Sequence, residues 1–275
     1  MLAKIQARLC RTAVYTGTAF SVSVLVLIVG YILVKGIPHL SPELFAWEYN
    51  SNNVSMMPAI INTLLMMMLS LLVCVPLGIG AAIYLTEYAP RGSRLVKLVR
   101  MTAETLSGIP SIIYGLFGSL FFVVALKMGM SLLSGALTLS IMVLPTIMRT
   151  TEEALLAVPD SYREGSFGLG AGRLRTTFKV VLPSAIPGIL SGVILAIGRI
   201  VGETAALIYT AGTVAKVPGS LLDSTRTLAV HMYTISTEGL YIDQSYATAV
   251  VLLVMVLLIN SLSALIARKV GGKHA

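Results

Sequence analysis

Arg199 and Glu203 stand four positions apart in the segment GRIVGETAAL, residues 198–207, which is otherwise apolar and rich in glycine. On one continuous helix, this spacing places two side chains on the same face. Gly188 and Gly192 would share that face, and small residues at such intervals let helices approach closely. We therefore expect the face to meet protein or a water-filled cavity, and not lipid.

Two roles are open for this pair of charges. In an anion pathway, the guanidinium of Arg199 would offer forked donors to an oxyanion, while Glu203 would hold it in place and keep anion binding weak enough for release. In a clasp, the two charges would only neutralise each other and fix helix packing. A charge at mid-membrane costs at least about 2.5–3.5 kcal/mol, whereas an exposed pair at this spacing contributes only about 0.2–0.5 kcal/mol. The sequence thus favours the pathway.

The composition indicates what surrounds the pair. The chain has 275 residues, 56% of them apolar and 12% charged, with a mean hydropathy of +0.88, which lies outside the range of soluble domains. The apolar runs do not alternate in polarity as barrel strands would. No small-residue cleavage site follows the first run, so we expect it to stay as an anchor. The pattern predicts an all-α membrane protein with six spans: 14–34, 58–85, 105–126, 132–148, 184–208 and 246–267.

Basic residues predict how these spans are oriented. Fifteen of the twenty lie in segments that would share one side of the membrane, namely the amino end, the loops 86–104 and 149–183, and the carboxyl tail. The other side has Lys35, Lys127, Lys216 and Arg226. Because cytoplasmic loops carry the excess of Lys and Arg, both termini are expected in the cytoplasm. The net charge of +8 then reflects topology and contact with anionic lipid, and gives no case for nucleic-acid binding.

Several kinds of chemistry have no motif in this sequence. A phosphate loop of the form G-x-x-x-x-G-K-[ST] is absent, so we expect no ATP hydrolysis by this chain and no cofactor of its own. Cys10 and Cys74 would lie at different depths and are not expected to pair. The three histidines are scattered and predict no metal site.

The loop 149–183 is too patterned to be a simple linker. Pro159 should end one helix, because proline lacks a backbone donor and clashes with the preceding turn. Ser161 and Glu164 have the spacing of a capping box, which predicts a short helix from Ser161 to Leu169 that stops at the glycines 168, 170 and 172. A lone helix projecting into the cytosol has little core of its own to bury, so we expect it to dock on a partner.

This loop resembles a motif of permease subunits in binding-protein-dependent ABC importers, E-A-A-x3-G-x9-I-x-L-P. The matching positions here are Glu164, Gly165, Ser166, Gly170, Val180, Leu182 and Pro183. Gly165 and Ser166 replace the two alanines and Val180 replaces isoleucine, so each change keeps a small or an apolar residue. In that family the loop is the coupling helix that sits in a groove of the ATPase subunit. The plainer alternative is that Glu164 only caps its own helix.

Three further stretches are similar to phosphate-specific importer permeases: PLGIGAAIYLTEYAP at 76–90, SGIPSIIYGLFG at 107–118 and GRIVGET at 198–204. The length of the chain is more like the shorter of the two permease types in those importers. Pro76 and Pro110 are expected to kink their helices, either for packing or for gating.

The resemblance implies a type I ABC importer permease in the inner membrane, with a second homologous permease, two copies of an ATPase that uses the ATP, and a soluble phosphate-binding protein outside. Its divisions would be 1–57 (amino segment, first span and periplasmic loop), 58–267 (permease core with the coupling loop 149–183) and 268–275 (cytoplasmic tail). The alternatives are import of another oxyanion, such as sulfate or molybdate, and a stand-alone channel or secondary carrier.

Overall fold

The computed structural model describes residues 2–90 and 92–271, and within them the chain forms helices and loops without a strand. The all-α prediction is confirmed. Arg91 and the last residues of the predicted tail, 272–275, lie outside the described residues. The helices are α1 (Leu2–Gly36), α2 (Met57–Ile83), α3 (Arg94–Ser107), α4 (Ser111–Gly118), α5 (Leu132–Leu156), α6 (Asp160–Gly168), α7 (Arg173–Thr176), α8 (Leu182–Val201), α9 (Ala205–Thr210), α10 (Leu228–Glu238) and α11 (Ile242–Gly271).

Three helices are extended by π-helical turns. One continues α2 over Tyr84–Tyr88, another continues α4 over Ser119–Ala125, and the third joins α7 to α8 over Thr177–Val181. Turns of this kind are rare and are often found at functional sites. Two of the three lie close to the loop that carries α6: the turn at Tyr84–Tyr88, which contacts α6 through Glu87, and the turn at Thr177–Val181, in the segment that follows α6.

Five helices of the described chain are long and apolar enough to cross a membrane, and a bent pair of helices brings the number to six. The bent pair corrects the predicted span 105–126. The chain turns by 103° between α3 and α4, and the extended backbone of Pro110, with φ −58° and ψ 140°, starts α4 in a new direction. A proline expected to kink one helix thus lies between two helices.

Helix α3 has three different faces. Val96 and Ala103 are buried against the bundle, whereas Leu95, Leu98 and Met101 are exposed. Arg100 and Glu104 lie on the remaining face, where Arg100 pairs with Glu152 of α5 and Glu104 pairs with Arg149. One protein face, one apolar face and one charged face are typical of a helix lying in the membrane interface.

The predicted fifth span, 184–208, also needs correction. Helix α8 ends at Val201, residues 202–204 are not helical, and α9 begins at Ala205. The break consists of Gly202, Glu203 and Thr204, and the apolar residues on both sides of it made the stretch resemble one continuous span.

The interior consists of three apolar clusters stacked along the bundle, with the mostly buried α5 at its centre. The middle cluster includes Met66, Leu139, Ile147 and Leu207. The cluster at the end expected in the cytoplasm includes Leu85, Leu155, Val181 and Ile189. The cluster at the opposite end includes Leu44, Val54, Met56, Leu228 and Ile235.

Residues 37–57 and 212–241 enclose this last cluster, and we call them the outer platform. The amide Nδ2 of Asn62 donates to the carbonyl oxygens of Lys216 at 2.9 Å and Arg226 at 3.1 Å. The hydroxyl of Tyr241 donates to the carbonyl of Ser51 at 2.9 Å. The two segments are therefore fastened to each other and to α2.

Candidate functional site

Helix α6 is the short helix predicted inside the loop 149–183. None of its nine residues is buried. Tyr162 and Phe167 are exposed, and Leu169, just past the helix end, is 91% exposed. An apolar surface of this kind on an otherwise polar loop is typical of a site that another protein covers.

The start of α6 differs from the prediction. The helix begins at Asp160, with Pro159 in the N-cap position and no side-chain cap. Ser161 therefore lies inside the first turn, and the predicted capping box with Glu164 does not form. The carboxylate of Glu164 is exposed and is not used to cap its own helix, which removes the plainer interpretation of this residue.

The end of α6 explains the glycine of the motif. Gly170 has a φ of +83°, in the left-handed region. Its amide donates to the carbonyl of Phe167 at 2.9 Å, and the amide of Ala171 donates to that of Ser166 at 3.1 Å. This is the bonding pattern of a Schellman motif, whose C′ position favours glycine.

The rest of the motif lies where the loop returns to the bundle. The hydroxyls of Ser166 and Thr176 are hydrogen-bonded at 2.8 Å, which joins α6 to α7. Val180 lies in the π-helical turn, and Leu182 and Pro183 begin α8. The motif therefore covers one continuous path from α6 to a membrane-spanning helix.

Arg163 fixes α6 to the bundle, and the sequence analysis did not single it out. Its guanidinium donates to Glu87 Oε1 at 2.8 Å and to the carbonyls of Leu155 at 2.9 Å and Val158 at 2.8 Å. The side chains of Arg163 and Glu87 are only 15% and 9% exposed. The available signal was that Glu87 is the one charged residue in the stretch 76–90.

A cavity of about 740 Å³ lies beside this pair, between the end of α2, α3 and α6. Its walls carry charges of both signs, from Glu87, Arg100, Asp160, Arg163 and Arg173. Several of these charges are already paired with each other or with Glu152.

The structure separates Arg199 from Glu203. Arg199 lies in the last turn of α8, whereas Glu203 lies in the break that follows. The two side chains do not form an ion pair, and Arg199 pairs with no described acid. Glu203 Oε1 instead accepts a hydrogen bond from the amide of Ala206 at 3.1 Å, at the start of α9. The shared helical face and the clasp are therefore wrong for this structure.

The small residues before Arg199 do meet protein. A Cβ on Gly188 would lie 2.6 Å from Ala154 Cβ of α5, and one on Gly192 would overlap Thr150. At Gly198, a Cβ would lie 3.8 Å from the amide nitrogen of Asn260, whose oxygen has no hydrogen-bond partner in the described chain. Arg199, the next residue, is half-buried.

Pro76 lies inside α2, which continues to Ile83. Cys10 is exposed and Cys74 is buried, and both are free. Within the described residues, His, Cys, Asp and Glu side chains form no group with metal-binding geometry.

The outer platform contains a buried arginine. Arg226 is 4% exposed and its guanidinium lies 4.5 Å from the ring centroid of Tyr49. Its Nε and Nη2 have no hydrogen-bond partner within the described residues, and neither ring nitrogen of the fully buried His231 has one. Burial, followed by the nearby charge of Arg226, lowers the pKa of His231 to about 3.

These features define a class: a multi-pass helical bundle of the membrane-transport type, with a short exposed helix at its inner end. Comparison with known proteins gives the family. Residues 74–272 match the model of the "Binding-protein-dependent transport system inner membrane component" family. The chain belongs to this family, which confirms the resemblance found in the sequence.

Two relatives and one solved structure illustrate the match. The chain is 33% identical over 260 residues to the "Probable ABC transporter permease protein YqgI" of Bacillus subtilis, covering 88% of each chain. It is 33% identical to the "Phosphate transport system permease protein PstA" of Pasteurella multocida, covering 94% of this chain and 92% of that one. A chain of a bacterial alginate ABC transporter, 16% identical, has the same fold with a TM-score of 0.68 over 95% of this chain and 96% of that chain.

Proposed function

We propose that this chain is the PstA-type permease subunit of an ABC importer for inorganic phosphate in the cytoplasmic (inner) membrane. Its partners would be a PstC-like permease, two copies of a PstB-like ATPase and a PstS-like phosphate-binding protein on the outer side. Relatives named as phosphate transport permeases support this assignment, since they match along most of the chain at 33–36% identity. The sequence contains no phosphate loop, so ATP hydrolysis is assigned to the ATPase and no cofactor to this chain.

The exposure of α6 is the observation that supports its coupling to the ATPase. It buries none of its residues, yet Arg163 fastens its base to α2 and α5. Tyr162, Phe167 and Leu169 are then available to a groove of the ATPase. Movement of the ATPase pair would displace α6 and, through its contacts, change which side of the membrane the bundle opens to.

Arg199 is the proposed contact for the anion. It pairs with no acid among the described residues, so no acid there neutralises its guanidinium. A planar fork of donors suits the oxygens of phosphate. Glu203 stabilises the start of α9 and so contributes to the pathway by shaping the break that follows Arg199.

Cross-linking tests the docking of α6. A cysteine at Ser166 should cross-link to the ATPase subunit in the assembled importer. Gly170→Glu should leave insertion intact and uncouple ATP hydrolysis from uptake, because glutamate is strained at a φ of +83° and adds charge to the docking surface. If Ser166→Cys never cross-links and Gly170→Glu imports phosphate normally, the docking role is wrong.

Uptake measurements test the anion pathway. Arg199→Gln should abolish phosphate uptake while the complex assembles, and Arg199→Lys should be impaired because an ammonium lacks the planar fork. Arg94→Gln, the same change at an exposed position on α3, is the matched control and should transport normally. An active Arg199→Gln importer would contradict the pathway. If unlabelled sulfate or molybdate competed with labelled phosphate for uptake more strongly than unlabelled phosphate does, one of those anions would be the substrate. Uptake in liposomes that lack the ATPase would favour a secondary carrier or a channel.

A further inference from the structure

The pair Glu87 and Arg163 joins the membrane-spanning part of the chain to the helix that faces the ATPase. We infer that this pair is the joint that transmits movement of α6 to α2, an inference that rests on the proposed function. The two residues are 76 positions apart, and Arg163 donates from Nη2 at 2.8 Å and from Nε at 3.3 Å to Glu87 Oε1. Two donors from one guanidinium fix its orientation as well as its distance.

Arg163 also holds the end of α5. Its Nη2 donates to the carbonyl of Leu155 and its Nη1 to that of Val158, at 2.9 and 2.8 Å. These carbonyls lie where α5 ends, a place that favours a cation because the helix leaves its last oxygens without partners. One side chain therefore connects the ends of α2 and α5 to α6.

Glu87 lies in the π-helical turn that continues α2, and α2 packs along α5 through the membrane. Few other contacts fasten α6, since none of its residues is buried. The hydrogen bond between Ser166 and Thr176 connects α6 forward to α7. A displacement of α6 would therefore be transmitted to α2 through Glu87. It would also be transmitted to α8 through α7.

Burial distinguishes this pair from its neighbours. The side chains of Arg163 and Glu87 are 15% and 9% exposed, whereas those of Arg149 and Glu104 nearby are 56% and 65% exposed. An exposed pair is screened by water and adds little. An ion pair that is shielded from water and held by two donors keeps its geometry when one helix moves the other. Glu87 and Arg163 are therefore positioning residues for coupling, and they need not touch the substrate.

The experiment uses the assembled importer and separates docking from transmission. Ser166→Cys reports docking on the ATPase, and Gly80→Cys reports movement of α2, because Gly80 is exposed and a Cβ there meets nothing within 4 Å. Glu87→Gln keeps the size of the side chain and removes its charge. We expect normal docking cross-links, roughly tenfold more ATP hydrolysed per phosphate imported, and loss of the ATP-dependent change in labelling at Gly80→Cys.

Arg163→Lys keeps the charge but not the fork, and should show the same uncoupling to a smaller degree. Glu104→Gln is the matched control at the exposed pair and should match the parent in every readout. Unchanged ATP use and unchanged labelling in Glu87→Gln, with docking intact, would overturn the joint. So would a low yield of complex whose assembled fraction couples normally, since the pair would then serve stability alone. Absence of the docking cross-link in the importer that carries Ser166→Cys alone would instead refute the docking of α6 on the ATPase in the proposed function, and the joint with it.

Discussion

The two ends of the bundle are finished in different ways. At the inner end, α6 projects with no buried residue and leaves Tyr162, Phe167 and Leu169 exposed. At the outer end, the platform of residues 37–57 and 212–241 encloses an apolar cluster in which Leu44 and Met56 are at most 2% exposed. The helix at the inner end buries none of its residues, whereas the outer platform buries an apolar cluster and also leaves Trp47, Leu222 and Leu240 exposed.

Two arginines shielded from water, one at each end, differ in how many of their donors have acceptors. Arg163, at the inner end, has its donors bound to Glu87 and to two carbonyls. Arg226, inside the outer platform, is 96% buried by its own chain, yet two of its nitrogens have no hydrogen-bond partner in the described residues. The two arginines therefore differ in how their donors are satisfied: those of Arg163 have acceptors, and two of those of Arg226 have none in the described residues.

We expect the two ends of the bundle to face opposite sides of the membrane. The effect is the largest one expected, because each reporter lies either inside or outside the cell. Reporters placed near Gly170 and after Ala275 should be cytoplasmic, because basic residues concentrate on that side. A reporter near Gly219, in the outer platform, should lie outside. Finding Gly170 and Ala275 on opposite faces would contradict the orientation and with it the assignment of both ends.

Replacing Arg163 or Arg226 by methionine should lower the free energy of unfolding by different amounts at the two ends. Arg163→Met leaves Glu87 without its partner and should cost roughly 3 kcal/mol, as for other shielded pairs. Arg226→Met removes a buried charge that pairs with no acid among the described residues and loses the contact with Tyr49, so the change should stay within about 1 kcal/mol. Thermal unfolding of the purified complex measures both. Equal losses would show that Arg226 is as well satisfied as Arg163.

The platform should be sensitive to acid. Burial lowers the pKa of His231 to about 3, well below its usual value near 6.5, so the folded state holds this ring neutral. As pH falls below about 6.5 the unfolded state gains a proton that the folded state does not, and stability should drop by up to about 1.4 kcal/mol per pH unit until pH 3. His231→Phe should remove this slope, while both proteins run parallel between pH 7 and 8. An unchanged slope in the variant would assign it to another group.

The smallest expected effect concerns the local order of α6. Gly170→Ala places a Cβ at a φ of +83° and should loosen the end of the helix by about 1 kcal/mol. Gly165→Ala lies inside the helix with open space around it and should tighten it by about the same amount. Amide hydrogen exchange of residues 160–168 in the permease without ATPase measures both, and the two changes should have opposite signs. A common sign would contradict the assigned helix end.

Apolar runs predicted the spanning helices because burial in hydrocarbon acts on stretches of about 20 residues. They did not locate the breaks. Pro110 is compatible with a kink or with a turn between helices, and the choice depended on packing of α3 against α5. At residues 202–204, the sequence Gly-Glu-Thr interrupts an otherwise apolar stretch, and Glu203 accepts a hydrogen bond from the amide of Ala206 at the start of α9.

For the site, motif spacing located α6 and Gly170 but gave the wrong start. Pro159 has an extended backbone and begins the helix one residue early, which removes Ser161 from the capping position. The pairing of Glu87 with Arg163 was out of reach, since no spacing rule connects two residues 76 apart in sequence.

The number of residues in the π-helical turn at Tyr84–Tyr88 determines the direction in which Glu87 points. The amide of Ala89 reaches back five residues to the carbonyl of Tyr84, at 2.9 Å, so this turn holds one residue more than an α-helical turn. Deleting a single residue from it would restore regular winding and rotate Glu87 by about 100° about the helix axis, away from Arg163, without altering either charge. The ion pair is therefore encoded by residue count as well as by residue type, and homologous chains that conserve both charges but lack the extra residue would not form it.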